Sequence, residues 1–311
     1  MRVISNDVNF PFMKFRFFFA IVSICLLAFS IFAWNNGGLA KYSVDFLGGT
    51  ELILSFDKGV DSGKIRKALN DAGIQGAVVQ SFDSGTNDFT IRLKGEDTDK
   101  TAKKVTDALS KISKVEVLKQ DFVGPTIGQK IRKDAFICIA LSLLIIGIFI
   151  TYRFEWRFAV GALVATVHDI IITAGTFIFF GGEVGSAFLA GMLTVVGYSL
   201  NDTIIVFDRA RENILGSASK KSRVFSNGKK LHQMSFKEIF NLSINQTLSR
   251  TILTSGTTLF VTFALLKFGG GALYDLSLAL LIGVVFGTYS SIFVASPSVL
   301  LLAKEGSAQK V

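Results

Sequence analysis

Residues 186–207, SAFLAGMLTVVGYSLNDTIIVF, decide how this chain folds, because they place a carboxylate inside a long apolar run. The run is as long as the roughly 20 residues that a helix needs to cross the hydrocarbon core of a membrane. Asp202 lies within it, where a charged side chain costs about 2.5–3.5 kcal/mol on insertion scales. A membrane protein that carries such a residue needs a partner for it or a use for it.

The composition extends this interpretation to the whole chain of 311 residues. Hydrophobic residues make up 50% of it, 30 residues are Phe, and the mean hydropathy is +0.49, which is too apolar for an ordinary soluble domain. Six apolar runs are each near or above the length of a membrane span. We therefore predict a polytopic α-helical membrane protein with six transmembrane helices, at about residues 15–34, 135–154, 158–180, 186–207, 251–268 and 276–302.

The basic residues predict the orientation of these helices. Lys and Arg are frequent before the first run, between the second and third runs, and in a basic loop at about 209–250, and they are sparse in the other short connections. Since positive residues stay on the cytoplasmic side, we predict that both termini are cytoplasmic and that the long segment between the first two helices lies outside. The net charge of +9 then indicates juxtamembrane charge rather than nucleic-acid binding.

This orientation predicts four parts of the chain. The first apolar run is too long for a usual signal-peptide core and no convincing cleavage site is present, so we interpret it as an uncleaved helix. Residues 1–34 form a cytoplasmic N-terminus and the first helix, and residues 35–134 form a periplasmic domain. Residues 135–302 contain the remaining helices and the basic loop, and residues 303–311 form a cytoplasmic tail.

The periplasmic domain has the pattern of a small α+β fold with its core at about 51–121. In NDFTIRLKG, residues 87–95, apolar and polar side chains alternate, as in a half-buried strand. Helical patterns after Asp61 and around 102–112 separate predicted strands in the ferredoxin-like order βαββαβ. The strands are predicted at 51–56, 76–82, 88–94 and 115–121. Residues 51–121 contain no Cys, no His and no phosphate-binding loop, so we interpret the domain as a binding or mechanical module.

The domain opens with VDFLGGTE, residues 44–51. We interpret Asp45, Gly48 and Gly49 as a turn motif, in which the glycines allow the chain to bend sharply where it leaves the membrane. A lone pair of glycines is a weak signal for a ligand site.

Asp202 is the strongest candidate for a functional residue. Ser199, Asn201 and Thr203 surround it, so this part of the helix can face polar neighbours or water. We favour an ion site over a structural pair, because a carboxylate in a low-dielectric setting can take up and release a proton. Arg250, at the start of the fifth run, is a candidate for a movable partner that would hold the carboxylate ionised.

His168 and Asp169 in the third run are weaker candidates. Adjacent helical residues point about 100° apart, so we expect that both cannot face one cavity. Asp169 is equally well interpreted as a structural partner or as a member of a proton relay. His232 is the only other histidine, which makes a metal site improbable, and the two cysteines lie in apolar runs without forming a disulfide framework. We expect no cofactor.

Two further patterns concern packing. Gly283 and Gly287 form a G-x-x-x-G in the sixth run, which favours a close helix–helix contact whose partner is open. Apolar residues of the stretch 236–248 form one stripe ahead of the fifth run. We interpret this stretch as a helix that lies along the cytoplasmic interface.

Several long motifs together resemble the SecD/SecF family of protein-export membrane proteins, which is related to the resistance-nodulation-division transporters. The resemblance covers nearly the whole chain. It is carried by VDFLGGT (44–50), DFVGPTIGQKIRKDA (121–135), YRFEWRFAVGALVATVHDIIIT (152–173), LTVVGYSLNDTIIVFDRAREN (193–213) and SINQTLSRTILTS (243–255).

The resemblance implies six spans in the cell inner membrane, with the outer domain in the periplasm. It also implies a SecD-like partner subunit and association with the Sec translocon channel in the lipid membrane. It implies that the complex uses the proton-motive force to help draw translocating preproteins out of the channel. In the family, the aspartate of N-D-T and the arginine of T-L-S-R-T are implicated in proton conduction, and these match Asp202 and Arg250. A single six-span unit is half of a twelve-span transporter, so the other half must come from a second polypeptide.

Two other functions compete with this one. A proton-driven exporter of drugs or lipids is disfavoured by the small size of the periplasmic domain. A passive scaffold, in which Asp202 and Arg250 only lock two helices, is the second alternative. An enzyme is not expected, because no nucleophile–base arrangement or metal cluster is visible in the sequence. Sodium also stays open as the coupling ion, since hydroxyl and amide oxygens flank the carboxylate.

Overall fold

The structure of the protein, a computed structural model, divides into two compact units. The membrane unit comprises described residues within Met1–Gly38, Cys138–Gly182 and Ala187–Val311. The sheet unit comprises those within Leu39–Ile137 and Glu183–Ser186. The structure describes residues 9–38, 41–57, 59–81, 87–93, 98–217, 231–269 and 271–303, so most of the basic residues between the fourth and fifth spans lie outside the described residues.

Six helices in the described part of the chain are long and apolar enough to cross a membrane, which confirms the predicted spans. Helices form because the hydrocarbon core offers no partner for backbone N–H and C=O groups, and a helix pairs them internally. The spans are α1 (Arg16–Asn36), α5 (Pro125–Arg153), α6 (Trp156–Phe179), α7 (Ser186–Ser217), α8 (Phe236–Phe268), and a sixth made of α9 (Gly271–Ser290), a π-helical turn (Ser291–Ala295) and α10 (Ser296–Leu302).

The prediction of a separate interfacial helix before the fifth span is wrong. Helix α8 runs without a break over 33 residues, about 50 Å at 1.5 Å per residue. It starts at a capping box in which Glu238 N donates to Ser235 Oγ and Ser235 N donates to the Glu238 carboxylate. No Gly or Pro occurs between 236 and 255 to end it. The apolar stripe, including Phe240 and Ile244, is buried in the core of the membrane unit.

The G-x-x-x-G of the sixth span has an internal partner. A Cβ added to Gly283 would lie 2.1 Å from Val195 Cγ2, and one added to Gly287 would lie 3.1 Å from Ser199 Cβ. Both contacts are with α7, so the two glycines bring α9 directly against the helix that carries Asp202. The helix that the G-x-x-x-G contacts, which the sequence left open, is therefore α7.

The π-helical turn interrupts the sixth span just after this contact. Pro297 has no N–H to donate to the carbonyl of residue 293, which favours a local departure from α-helical bonding. The Ser296 hydroxyl donates to the Ser291 carbonyl across the turn, at 3.1 Å. Single π-turns of this kind are frequent at functional sites.

After a short helix at Val44–Leu47, the described part of the sheet unit has four strands and two helices in the predicted order, which confirms the ferredoxin-like α+β fold. The sheet has the order β2-β3-β1-β4 with every pair antiparallel, so β3 lies between β1 and β2 as in a split βαβ arrangement. Apolar side chains of the sheet and of two helices form its core. The elements are α2 (Val44–Leu47), β1 (Gly49–Phe56), α3 (Ser62–Asp71), β2 (Val78–Ser81), β3 (Asp88–Leu93), α4 (Thr98–Leu109) and β4 (Val115–Val123).

Gly48 and Gly49 make the turn into β1, with φ values of +76° and +130°. Side chains rarely adopt such angles, so glycine is needed at both positions. A Cβ on Gly48 would also lie 2.7 Å from the Cα of Pro125. The motif therefore closes the base of the sheet against the start of α5.

Candidate ion site within the membrane helices

Asp202 lies in the interior of the membrane unit with none of its surface exposed. Its Oδ2 accepts a hydrogen bond from Ser255 Oγ on α8, at 3.2 Å. Ser255 Oγ lies in turn 2.7 Å from Thr288 Oγ1 on α9. Three spans thus meet at this site: α7 carries the carboxylate, and α8 and α9 each contribute one hydroxyl.

The second oxygen of Asp202, Oδ1, is buried and has no hydrogen-bond partner among the described residues. Thr251, one turn before Ser255 on α8, has a buried hydroxyl that is also without a partner in the described part of the chain. Burying a carboxylate without such partners is costly, and the cost falls when the group takes up a proton or binds a cation. The site is therefore suited to bind and release a small positive ion.

Arg250 does not contact Asp202 in this structure. Although both residues are described, the Arg250 side chain is exposed while Asp202 is buried, and no ion pair joins them. Helix geometry explains the separation, because successive residues are turned by about 100° and α8 directs Thr251 and Ser255 inward instead. The movable Asp202–Arg250 pair stays a prediction.

Asp169 is the second buried carboxylate of the membrane unit, with 1% of its surface exposed. Its Oδ2 accepts hydrogen bonds from Ser199 Oγ on α7 and Ser290 Oγ on α9, both at 2.6 Å. Its Oδ1 lies 2.9 Å from His168 Nδ1. The expectation that His168 and Asp169 cannot face one cavity is wrong, because the imidazole reaches back to its neighbour and both side chains are buried.

The two carboxylates are held by the same pair of helices. On α7, Ser199 bonds Asp169 and lies one turn before Asp202. On α9, Ser290 bonds Asp169 and lies two residues after Thr288. A change in position of α7 or α9 therefore alters the surroundings of both acids.

Buried polar contacts continue from His168 toward the first span. The His168 ring stacks on Tyr289 with 6.2 Å between ring centres, and its Nε2 is buried without a partner among the described residues. The Tyr289 hydroxyl donates to the Phe19 carbonyl at 2.8 Å and lies 2.9 Å from Ser23 Oγ. Polar groups of α6, α7, α8 and α9 thus lie around the two acids, and Tyr289 of α9 connects this region to α1.

The hydroxyl partners were missed by sequence reasoning, which concentrated on charged residues. A signal was present, since small polar residues of α8 recur every three or four positions and share one helix face. The members of this stripe that the structure buries are Ser243, Thr247, Thr251, Ser255 and Thr262.

The sequence and the fold were compared with known proteins. The C-terminal domain family of the protein export membrane proteins SecD and SecF matches residues 103–305. The chain belongs to the SecD/SecF family. Among relatives in this family, "Protein translocase subunit SecF" of Vibrio alginolyticus is 39% identical over 97% of this chain and 92% of its own. The protein of the same name from Rhodothermus marinus is 38% identical over 100% of this chain and 98% of its own.

Solved structures of SecDF share the fold of this SecD/SecF-family chain. The crystal structure of SecDF from Thermus thermophilus, described as a translocon-associated membrane protein, matches 96% of this chain with a TM-score of 0.84 and 33% identity. SecDF in a super-membrane-facing form matches 97% with a TM-score of 0.67 and 34% identity. This chain spans 39% of the length of each SecDF chain.

Proposed function

We propose that this chain is an auxiliary subunit of the Sec protein translocase that uses the proton-motive force, together with a SecD-like partner, to promote late steps of protein export. Its membership of a protein-export family supports the process. The observation that carries the mechanism is the buried Asp202, which has one hydroxyl donor and a free oxygen among the described residues. The protein acts by conformational coupling, and we expect no enzymatic activity and no cofactor.

The mechanism follows from the charge change at Asp202. When a proton binds, the carboxyl becomes neutral and the buried site needs no cation. When the proton leaves, the carboxylate attracts a positive group, and Arg250 is the candidate that α8 would bring inward. One elementary charge that crosses a potential of 100 mV releases about 2.3 kcal/mol, enough to bias two conformations separated by a few kcal/mol.

Asp169 is proposed as a second member of the proton pathway. Its carboxylate is bonded to α7 and α9, the helices that hold Asp202 and Thr288. Because Asp169 already has three close polar neighbours, we assign it the more fixed role and Asp202 the role of the group that changes partner.

The proposed orientation has both termini in the cytoplasm and the sheet unit in the periplasm. Arg153 and Asp208 form an ion pair at 3.3 Å, and Arg211 donates to the Arg153 carbonyl at 3.3 Å. The basic ends of α5 and α7 are therefore at the same end of the bundle, as the positive-inside rule requires of a cytoplasmic face. The residues from Lys220 to Lys230 in the predicted basic loop lie outside the described residues.

A SecD-like subunit is the proposed partner, with the Sec channel, a translocating preprotein and membrane lipid as further contacts. The solved SecDF chains are more than twice as long as the part that this chain matches. Six spans supply half of a twelve-span transporter, whose pathway lies where two repeats meet. The partner would supply the other half.

Asp202→Asn tests the proposal, because asparagine has nearly the same shape and cannot carry a charge. Vesicles that contain this chain and its SecD-like partner are energised, and the release of a secreted protein is followed with and without the proton gradient. We expect release to lose its gradient dependence while the complex still assembles. Replacing the proton gradient with a sodium gradient in the unmodified protein identifies the ion.

Asp208→Asn is the matched control, since Asp208 lies on the same helix, six residues on, and forms a half-exposed ion pair. It should keep the full gradient dependence. If Asp202→Asn also keeps it, Asp202 has a scaffolding role and the proposed coupling is wrong.

A further inference from the structure

Arg92, the residue before the last in strand β3, is an almost completely buried charge in the sheet unit, with 6% of its side chain exposed. Its Nη1 donates to the Tyr42 carbonyl at 2.7 Å. Its Nη2 donates to the side-chain oxygens of Gln80 on β2 and of Glu183. Glu51, its cross-strand neighbour on β1, is 4.0 Å away. One guanidinium therefore joins three strands to two segments that are distant in sequence.

Glu183 lies in the short connection between the third and fourth spans. Residues 183–186 belong to the sheet unit although the helices on both sides of them belong to the membrane unit. The ion pair with Arg92 is made by a planar guanidinium, which holds its acceptors in a fixed geometry, and the pair is largely shielded from water.

The backbone on either side of Glu183 is attached to the sheet unit as well. Val184 N donates to the Lys41 carbonyl at 2.7 Å and Ser43 N donates to the Val184 carbonyl at 3.1 Å, which forms a parallel β-bridge. A Cβ on Gly185 would lie 2.2 Å from Ser43 Oγ, so this position has no space for a side chain.

Asp45 completes the attachment at Ser186, the first residue of α7. Its Oδ2 accepts hydrogen bonds from Ser186 N, at 3.1 Å, and from Ser186 Oγ. A carboxylate at this place satisfies an N–H group that the helix itself cannot pair and interacts favourably with the helix dipole. The sheet unit therefore holds the beginning of α7 by an ion pair, two backbone bonds and a helix cap.

Helix α7 continues from Ser186 without interruption to Asp202, 16 residues or about 24 Å further on. A helix transmits displacement along its axis because its hydrogen bonds resist extension. We infer that Arg92 and Glu183 are positioning residues that couple the sheet domain to the ion site, so that a displacement of the sheet domain by an emerging preprotein moves α7 and with it Asp202. The inference rests on the proposed function and adds to it that α7 links the sheet domain to the ion site.

Glu183→Ala tests the link, because it removes the tie to α7 and leaves Arg92 with its other partners. The matched control is Gln80→Ala, which removes another acceptor of the same Nη2 but does not touch the 183–186 segment. In the vesicle assay with the SecD-like partner, we expect Glu183→Ala to reduce the gradient-driven stimulation of release about 5-fold or more, the low end of coupling between sites. Gln80→Ala should keep the stimulation.

A disulfide supplies the second test. The background is a Glu183→Ala chain whose two native cysteines are replaced by serine. Tyr42→Cys and Val184→Cys are added to it, because these two residues form the β-bridge. A disulfide between them should join the 183–186 segment covalently to Tyr42's part of the sheet unit. Oxidation should restore the stimulation and reduction should abolish it again. If Glu183→Ala acted only by lowering local stability, oxidation and reduction of the cysteine pair would not restore and abolish the stimulation of release.

The outcomes separate this inference from the proposed function. If the unmodified complex shows no gradient dependence, the proposed function itself fails. If the unmodified complex responds to the gradient and Glu183→Ala responds equally, the coupling role is overturned while the proposed function stands. A loss in Glu183→Ala that the oxidised cysteine pair does not restore also overturns the coupling role.

Discussion

Two buried charges, Arg92 in the sheet unit and Asp202 in the membrane unit, have opposite surroundings. Arg92 donates to three oxygens and has a second carboxylate 4.0 Å away. Asp202 accepts from one hydroxyl, and its Oδ1 has no partner among the described residues. The Arg92 Nε has no hydrogen-bond partner among the described residues, but its two terminal nitrogens together donate to three oxygens. A charge bonded in this way holds its surroundings in one arrangement. A charge that lacks partners can gain them only from a proton, an ion or a moving side chain, and this is what a coupling site needs.

The largest effect is expected from breaking the more fully satisfied of the two sites. Arg92→Met leaves Glu51 and Glu183 in a buried place without their cation, and breaking a buried pair in this way costs about 3–5 kcal/mol. We expect the sheet unit to lose that much stability, measured in the full chain by amide hydrogen exchange of β1 and β3.

Two variants serve as controls for Arg92→Met. Arg66→Met removes a single hydrogen bond, from Arg66 Nη2 to the Val79 carbonyl, and should cost about 1 kcal/mol. Adding Glu51→Gln and Glu183→Gln to Arg92→Met should recover much of the loss, because no unpaired charge is left. An equal loss in the triple variant would show that packing, and not charge, explains the effect.

A smaller effect is expected from removing the one donor to Asp202. Ser255→Ala deletes a hydrogen bond worth about 1 kcal/mol, or about fivefold in an equilibrium. Gradient-driven release should fall by that factor, and less than in Asp202→Asn. Thr257→Ala, on the same helix, removes an exposed hydroxyl that bonds only its own helix backbone and should leave release unchanged. Equal effects of the two substitutions would contradict the assigned role of Ser255.

The smallest effect concerns the pH dependence of the sheet unit. Burial raises the pKa of Glu51 from its ordinary value of 4.5, while Arg92 and then Lys119 oppose the shift and Asp121 and Asp45 add to it. Because the folded unit holds this proton more tightly than the unfolded chain, its stability falls as the pH rises from about 4.5 through the raised pKa.

Glu51→Gln should remove this slope. The comparison is hydrogen exchange of β1 and β3 at each pH, with Glu116→Gln, an exposed acid of β4, as the reference. If the two variants show the same dependence on pH, Glu51 does not contribute to it.

Much of the fold could be predicted because the signals are local. Each span is a continuous apolar run, and each strand of the sheet domain alternates over a few residues. The beginning of α8 is predicted wrongly because polar residues on its other faces, such as Asn241 and Gln246, give the stretch the amphipathic pattern of an interfacial helix. The Gln246 side chain instead bonds to Asn213 of α7 inside the bundle.

The candidate sites were predictable to different degrees. Asp202 is visible in the sequence because a carboxylate in an apolar run is unusual. Its hydroxyl partner Ser255 and the neighbouring Thr288 lie 53 and 86 residues away on other helices, where Ser and Thr are common and carry no distinctive signal. The tie between Arg92 and Glu183 joins positions 91 residues apart, and the short connection GGEVGS (181–186) has no pattern that predicts a buried ion pair.

The sequence by itself determined the six spans, the βαββαβ order and the presence of a carboxylate in the membrane, because hydrophobicity, periodicity and the cost of a buried charge act on single segments of chain. Tertiary structure alone decided that Asp202 has one donor and a free oxygen among the described residues, that Asp169 is bonded to both α7 and α9, and that the beginning of α7 is attached to the sheet unit. Those features depend on distances between atoms of segments far apart in sequence, which packing sets and no local pattern records.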